Sequence, residues 1–186
     1  MNYQIVVIGV SLGGLKAMKT IIEKLPHDFP LPVVIVQHRG KNADETLQLL
    51  LTEYGNLKVV EPEDKDEIMT GNIYLAPPDY HLLIEEHHFS LSLDLPVNYA
   101  RTSIDVLFDS AADAYRNKVI GIILTGSSKD GAAGLAAIKL KGGFAIVQEP
   151  TSAESDILPK ATVNLVADAK ILPLDKIASF LIKISK

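Results

Sequence analysis

Residues 3–17, YQIVVIGVSLGGLKA, combine a hydrophobic run, a glycine-rich turn and the start of an amphipathic pattern. The run at residues 4–8 is β-branched and almost uncharged, which is typical of a parallel strand buried on both faces. After the turn, apolar residues at helical spacing predict a helix: Leu15, Met18, Ile21, Ile22 and Leu25. Ser11 is therefore expected between a strand and a helix, inside the pattern G-x-S-x-G.

A serine in this position can act as a nucleophile. The sharp, glycine-flanked turn would lift its hydroxyl above the sheet, and the next backbone N–H groups would point to where an oxyanion forms. Two other interpretations stay open at this point: Ser11 could cap the helix, or the loop could bind a phosphate. The pentapeptide alone does not choose among them, because G-x-S-x-G matches are common by chance.

The amino-acid composition and net charge exclude several classes of protein. The chain has 186 residues, 47% of them hydrophobic and 22% charged, which predicts one folded domain over residues 1–186. A net charge of −5 gives no support to nucleic-acid binding, and the lack of cysteine excludes disulfides, thiol catalysis and cysteine-ligated zinc. Residues 1–8 lack the features of a signal peptide, and no apolar run reaches the ~18 residues of a membrane span. We expect a cytoplasmic protein without direct membrane insertion.

Strand-like runs alternate with helical patterns along the chain. After the first strand, further buried strands are predicted at residues 33–37, 57–60, 118–124 and 144–147. Residues 71–98 break this rhythm with a strand stopped by two prolines and an alternating segment at residues 81–94 that predicts a hairpin. The expected fold is α/β: a doubly wound, mostly parallel sheet with helices on both faces, three layers α/β/α, and an antiparallel β-hairpin excursion.

Several helix boundaries are also predicted. A helix over residues 43–53 would place its acidic residues in the first turn, and one from about residue 104 to Tyr115 would be capped by Thr102 or Ser103. Residues 151–170 are expected to be irregular, apart from a turn of helix after a proline. The terminal helix would start at its own cap, Asp175.

Three predicted strands end in residues with catalytic potential: Ser11, His38 and the loop leading to Asp130. Parallel strands place their carboxyl ends at one edge of a sheet, where ligands bind. A serine nucleophile needs a base, and that base needs a carboxylate to orient it, so these three could form a triad. Taken singly, His38 could equally be a hydrogen-bonded strand end, and Asp130 could be a helix cap.

Other polar residues give weaker indications. His81, His87 and His88 suggest a metal site, but neighbours in an alternating strand point to opposite faces, which argues against one. Arg101 precedes a helix cap and could face the cleft or the solvent. From these residues we expect no metal ion and no cofactor.

With these features the chain resembles the catalytic domain of chemotaxis protein-glutamate methylesterases (CheB-type) over almost its whole length. The matching stretches are 7–14 (VIGVSLGG), 37–38 (QH), 71–77 (GNIYLAP), 101–108 (RTSIDVLF), 123–126 (ILTG), 130–134 (DGAAG) and 147–148 (VQ). The resemblance places the family's triad on Ser11, His38 and Asp130. It implies hydrolysis of glutamate γ-methyl esters on chemoreceptor helices, with deamidation of some receptor glutamines.

Further expectations rest on this resemblance. The N–H groups of Leu12 and Ser127 would hold the oxyanion, and Arg101 would contact the acidic receptor helix. No cofactor is implied. The family's receiver domain has no counterpart before the first strand, so a separate regulatory protein is a candidate partner beside the receptor.

This sequence departs from the family pattern beside the catalytic residues. Leu12 stands where the family usually has threonine, which keeps the N–H but loses a hydroxyl. Residues 126–131 are GSSKDG where the family typically has GMGNDG, so Ser128 replaces a glycine. Two rival functions follow: an esterase or amidase acting on a different substrate, and a non-catalytic module that binds a receptor.

Overall fold

The computed structural model describes residues 3–185. Seven strands form one parallel sheet: β1 (Ile5–Val10), β2 (Val33–Gln37), β3 (Lys58–Val60), β4 (Asn72–Leu75), β7 (Val119–Ile123), β8 (Phe144–Gln148) and β9 (Lys170–Leu172). Their spatial order is β3-β4-β2-β1-β7-β8-β9. Two further strands, β5 (His81–Ile84) and β6 (Phe89–Ser92), pair antiparallel as a separate hairpin. This confirms the mostly parallel sheet and the hairpin excursion. The excursion is shorter than the predicted 71–98, because the strand that precedes the two prolines is β4, which pairs parallel with β2 and β3 in the main sheet.

Helices cover both faces of the sheet. They are α1 (Gly14–Ile22), α2 (Thr46–Tyr54), α3 (Ile104–Tyr115), α4 (Ala132–Leu140), α5 (Ile157–Leu165) and α6 (Leu174–Ile184). Side chains of α1, α2 and α6 share one hydrophobic core, and those of α3, α4, α5 and the hairpin share the other. The three-layer, doubly wound architecture is therefore confirmed. In the described part of the chain, the helices are too short or too polar to span a bilayer.

The first strand, β1, lies at the centre of this arrangement. All six of its residues are buried: Val6, Ile8 and Val10 point into one core, and Ile5 and Val7 point into the other. It pairs with β2 on one side and with β7 on the other. Because the chain winds first to one side of β1 and later to the other, the carboxyl ends of these three strands border the crevice where such sheets bind ligands.

The segment at residues 151–170 is more regular than predicted. It contains the whole of α5, which begins at Ile157, before Pro159, and it leads into an edge strand, β9. Pro159 is tolerated because it is the third residue of the helix, where a backbone N–H has no intrahelical partner. The buried side chains of Leu158 and Thr162 hold the helix on the sheet, a tertiary contact that local patterning did not reveal.

Two helix starts and one residue of a buried helix face differ from the predictions, and one predicted helix cap agrees. Helix α2 starts at Thr46, so its acidic neighbours precede it, and the Oδ1 of Asp44 accepts a hydrogen bond from the Thr46 N–H. Helix α6 starts at Leu174, which places Asp175 in the first turn instead of at the cap. In α1, Leu15 is 42% exposed and does not belong to the buried face. The expected cap of α3 is confirmed, because Ser103 Oγ accepts from the Val106 N–H.

Candidate active site

Ser11 follows directly after β1, on a tight turn. The N–H of Gly14 donates to the Ser11 carbonyl over 3.0 Å, and Gly13 has φ 80° and ψ 6°, as expected for the third residue of a type II turn. On its other side, the Ser11 N–H donates to the Thr125 carbonyl over 3.0 Å, which fastens the turn to the end of β7. The conformation of the turn therefore depends on Gly13, and its position depends on the hydrogen bond to Thr125.

The loop after β7 approaches this turn closely. A Cβ added to Gly126 would lie 3.0 Å from the Cβ of Ser11, so the chain needs a residue without a side chain there. The hydroxyl of Thr125 donates to the Leu12 carbonyl over 2.8 Å and accepts from the Ser155 N–H over 2.9 Å. The two loops that carry Leu12 and Ser127 are thereby joined to each other.

His38 and Asp130 form a hydrogen-bonded pair. The distance from His38 Nε2 to Asp130 Oδ2 is 2.8 Å, across 92 residues of sequence. The His38 side chain is 17% exposed, and that of Asp130 is fully buried. With Nε2 engaged by the carboxylate, the Nδ1 of His38 is left to take a proton from a nucleophile.

Asp130 is held at the N-terminus of α3. Its Oδ1 accepts from Ser103 Oγ over 2.7 Å, and its Oδ2 accepts from the Ile104 N–H over 2.6 Å. Burial by itself would raise the pKa of Asp130, but the hydrogen bonds from His38, Ser103 and Ile104 outweigh it and lower the pKa. The helix dipole favours negative charge at this position as well, so Asp130 is an ionised partner for His38.

A second carboxylate completes a reciprocal arrangement. The Oδ1 of Asp105, in the first turn of α3, accepts from the N–H groups of Gly131 and Gly134 over 2.8 and 2.7 Å. The N-terminus of α3 is thus hydrogen-bonded by Asp130, which lies just before α4. The N-terminus of α4 is hydrogen-bonded by Asp105, which lies in α3. Burial raises the pKa of Asp105 to about 6, opposed by the backbone hydrogen bonds and reinforced by the negative charge of Asp130.

The raised pKa of Asp105 has a measurable consequence for stability. Since the folded protein holds this proton more tightly than the unfolded chain, Asp105 makes stability fall as the pH rises from about 4 to about 6, and the loss is complete above that range. In urea unfolding, Asp105→Asn should therefore become more stable relative to the wild type as the pH rises through this window. Asp113→Asn, an exposed change on the same helix, serves as control. A wild-type-minus-variant difference for Asp105 that stays constant with pH would contradict the prediction.

Ser11 and His38 face the same space. Both line two adjoining cavities, of about 740 and about 490 Å³. Within residues 3–185 the Ser11 hydroxyl makes no hydrogen bond, so the structure joins His38 to Asp130 directly and brings Ser11 only to the same cavity walls. Catalytic hydrogen bonds of this kind often tighten only when substrate binds.

Two backbone N–H groups near Ser11 are available to a ligand. Among residues 3–185, neither the Leu12 N–H nor the Ser127 N–H donates to a protein acceptor. Both residues line the larger cavity together with Ser11. Ser128 accepts from the Asp130 N–H through its Oγ over 3.3 Å, so it supports the loop locally.

Arg101 lies on the wall of the smaller cavity and has protein partners. Its Nε and Nη2 both donate to Asp79 Oδ1, over 3.1 and 2.9 Å. Its Nη1 donates to the carbonyls of Leu93 and Asp94 over 2.8 and 3.2 Å. The side chain therefore ties the 93–94 loop to the rest of the cavity wall.

The histidines that suggested a metal are placed differently. His81 is buried, with Nε2 3.1 Å from the Leu95 carbonyl, and its Nδ1 accepts from the Ser103 N–H over 3.3 Å. His87 is exposed, and His88 pairs with Glu85. Over residues 3–185, no three His, Asp or Glu side chains are grouped in a way that could hold a metal ion.

Sequence reasoning missed three residues that support the site: Gln37, Ser103 and Asp105. The sequence indicates Ser103 only as a helix cap, and its second contact, with Asp130, joins residues 27 positions apart. All three lie in short stretches that carry the family resemblance. The resemblance could have marked these three residues as candidates for the site, but it does not indicate which atoms their side chains contact.

Comparisons with known proteins agree with this architecture. The sequence profile described as CheB methylesterase matches residues 6–181. A protein of Leptospira interrogans is 47% identical over 187 residues, which cover 100% of this chain and 97% of that protein. A Carboxydothermus hydrogenoformans protein named protein-glutamate methylesterase/protein-glutamine glutaminase 1 is 39% identical over 94% of this chain, which spans 53% of that longer relative.

A solved structure gives the same result in three dimensions. The crystal structure of the Thermotoga maritima CheB methylesterase catalytic domain superimposes with a TM-score of 0.94 and is 34% identical in sequence. The match covers 99% of this chain and 100% of that one. Profile, sequence and structure thus agree, and the chain belongs to the CheB methylesterase family.

Proposed function

We propose that this protein is a serine hydrolase that demethylates glutamate γ-methyl esters of chemoreceptors and deamidates receptor glutamines. The observation that carries this proposal is the His38–Asp130 pair at 2.8 Å, with His38 on the same cavity walls as Ser11. Membership of the methylesterase family supports the ester as substrate. The names of the relatives, which include protein-glutamine glutaminase, support the amide as a second substrate.

In the proposed mechanism, Ser11 Oγ attacks the ester carbonyl while His38 Nδ1 takes its proton. Asp130 orients the imidazole and stabilises the imidazolium. The carbonyl oxygen becomes an oxyanion that accepts from the N–H groups of Leu12 and Ser127. His38 then returns the proton to the departing methoxide, methanol leaves, and water activated by the same histidine releases the glutamate from Ser11. With a glutamine substrate, ammonia leaves in place of methanol.

The surroundings of the site suit a protein substrate better than a small buried one. Ser11 lies between two open cavities, and large apolar side chains are exposed at their walls, with Leu12 55% and Tyr99 fully exposed. Lysines, among them Lys16, lie on the same walls and would attract an acidic helix. In this proposal Arg101 shapes the part of the wall that receives that helix.

The direct test is methanol release from a purified receptor cytoplasmic fragment that carries glutamyl methyl esters. The wild-type protein should release methanol, and it should not do so from the same fragment before methylation. A higher kcat/KM for simple aryl esters than for the methylated fragment would indicate a different substrate. A folded protein whose Ser11 is not labelled by a fluorophosphonate would indicate a non-catalytic binding module.

A further inference from the structure

Gln37, the last residue of β2, contacts the backbone of two proposed catalytic residues at once. Its Nε2 donates to the carbonyl of Ser11 over 3.0 Å and to the carbonyl of His38 over 3.1 Å. The side-chain amide of glutamine can make both bonds because its nitrogen carries two hydrogens that point in different directions. The contact joins the turn after β1 to the end of β2, independently of the side chains that would perform the chemistry.

The bond to Ser11 determines which way the next N–H points. In a planar trans peptide, the C=O of one residue and the N–H of the following residue point in opposite directions. The Ser11 carbonyl is held on one side by Gln37 Nε2 and by the Gly14 N–H. The N–H of Leu12 must therefore point to the other side. There it has no acceptor among residues 3–185, and Leu12 lines the larger cavity.

The other end of the Gln37 amide shows that its orientation is not free. Its Oε1 is buried and has no hydrogen-bond partner within the described residues. Turning the amide over would place this oxygen against the carbonyls of Ser11 and His38, which is worse than leaving it unpaired. A buried unpaired acceptor costs stability, and such costs are typical of positions that serve function.

We propose that Gln37 is a positioning residue that orients the Ser11–Leu12 peptide so that the Leu12 N–H can stabilise the oxyanion. This inference rests on the proposed function, since it assumes an oxyanion at that place. It deepens that function by assigning part of transition-state stabilisation to a side chain that acts through the backbone of Ser11 and not on the reacting atoms.

Gly14 provides a second, independent route to the same contact. A Cβ added to Gly14 would lie 1.8 Å from Gln37 Oε1 and 3.0 Å from Val10 Cγ2. The nearest atom is the far end of a flexible side chain, so Gly14→Ala should fold but displace the Gln37 amide from the Ser11 carbonyl. Gly14 has helical backbone geometry that alanine adopts readily.

The principal test replaces Gln37 by methionine, which keeps the length and volume of the side chain but cannot donate. With p-nitrophenyl acetate as substrate, kcat should fall about 10- to 100-fold, less than or equal to the loss of one oxyanion donor. KM should change less than about twofold, and the shape of the pH–rate profile should be unchanged, because Asp130 still orients His38. Gln48→Met is the matched control, since Gln48 Nε2 also donates to a carbonyl, that of Val59, and Gln48 lines neither cavity.

Gly14→Ala and the double variant complete the test. Gly14→Ala should lower kcat to a similar degree. Adding Gln37→Met to it should lower kcat little further, because both changes remove the same hydrogen bond, from Gln37 to the Ser11 carbonyl. Urea unfolding identifies any variant that fails to fold, and in that case the other single variant decides. Wild-type kcat in folded Gln37→Met, or additive losses in the double variant, would overturn the inference. Aryl-ester turnover that is unaffected by Ser11→Ala would instead overturn the proposed function itself.

Discussion

Ser11→Ala should lower the turnover of a methylated receptor fragment by about 10³-fold or more, because the attacking oxygen is lost while the rest of the site is kept. His38→Ala should cause a loss of similar size. The double variant should be no worse than either single one, since nucleophile and base act as one unit. Methanol release measures the effect on the ester, and ammonia release measures it on the amide.

Folding is not expected to limit this experiment. Ser11 Oγ makes no hydrogen bond within residues 3–185, so its removal leaves no buried partner unsatisfied. Ser179→Ala, a change of the same chemistry on the exposed side of α6, should leave turnover unchanged. Undiminished methanol release by Ser11→Ala would remove the nucleophile from the mechanism.

Asp130→Asn should lower kcat by about 10³- to 10⁴-fold through the tautomer of His38. An amide nitrogen facing His38 Nε2 would donate to it, which places the imidazole proton on Nδ1, the atom that must take the proton from Ser11. The amide oxygen, in the place of Oδ1, can still accept from Ser103 Oγ and the Asp105 N–H, whereas the Ile104 N–H, which donates to Oδ2, loses its acceptor. The variant should therefore fold with some loss of stability. Steady-state turnover together with urea unfolding separates the two effects.

Two further variants bracket this result. Asp130→Ala should lose activity and also stability, because it leaves the Ser103 hydroxyl and the Ile104 N–H buried without their acceptor. Asp168→Asn, at an exposed site, should change neither. If Asp130→Asn kept more than a tenth of the wild-type kcat, Asp130 would be a structural cap of α3 and not an orienting residue.

The class of fold could be predicted from local sequence patterns, each of which depends only on residues close together in the chain. The buried run at β1, the glycine turn and the alternation of strands with helices predicted a doubly wound sheet, and the described residues have one. Local patterns failed where a tertiary contact decides the conformation. Helix α5 forms around Pro159 because Leu158 and Thr162 are buried against the sheet, and the adjacent β9 forms because β8 offers it an edge.

The amino-acid sequence by itself determined the order of the strands along the chain, the turn that carries Ser11, and a family resemblance that the comparisons confirmed. Only the tertiary structure decided what each polar group touches. The decisive hydrogen bonds join segments that are far apart in sequence. They are the bond between His38 and Asp130, the bond of Asp105 in α3 to the start of α4, and the bond of Gln37 to the Ser11 carbonyl. Periodicity reports which face of an element is buried, whereas a hydrogen bond requires two specific atoms within about 3 Å, and that depends on how all the elements pack.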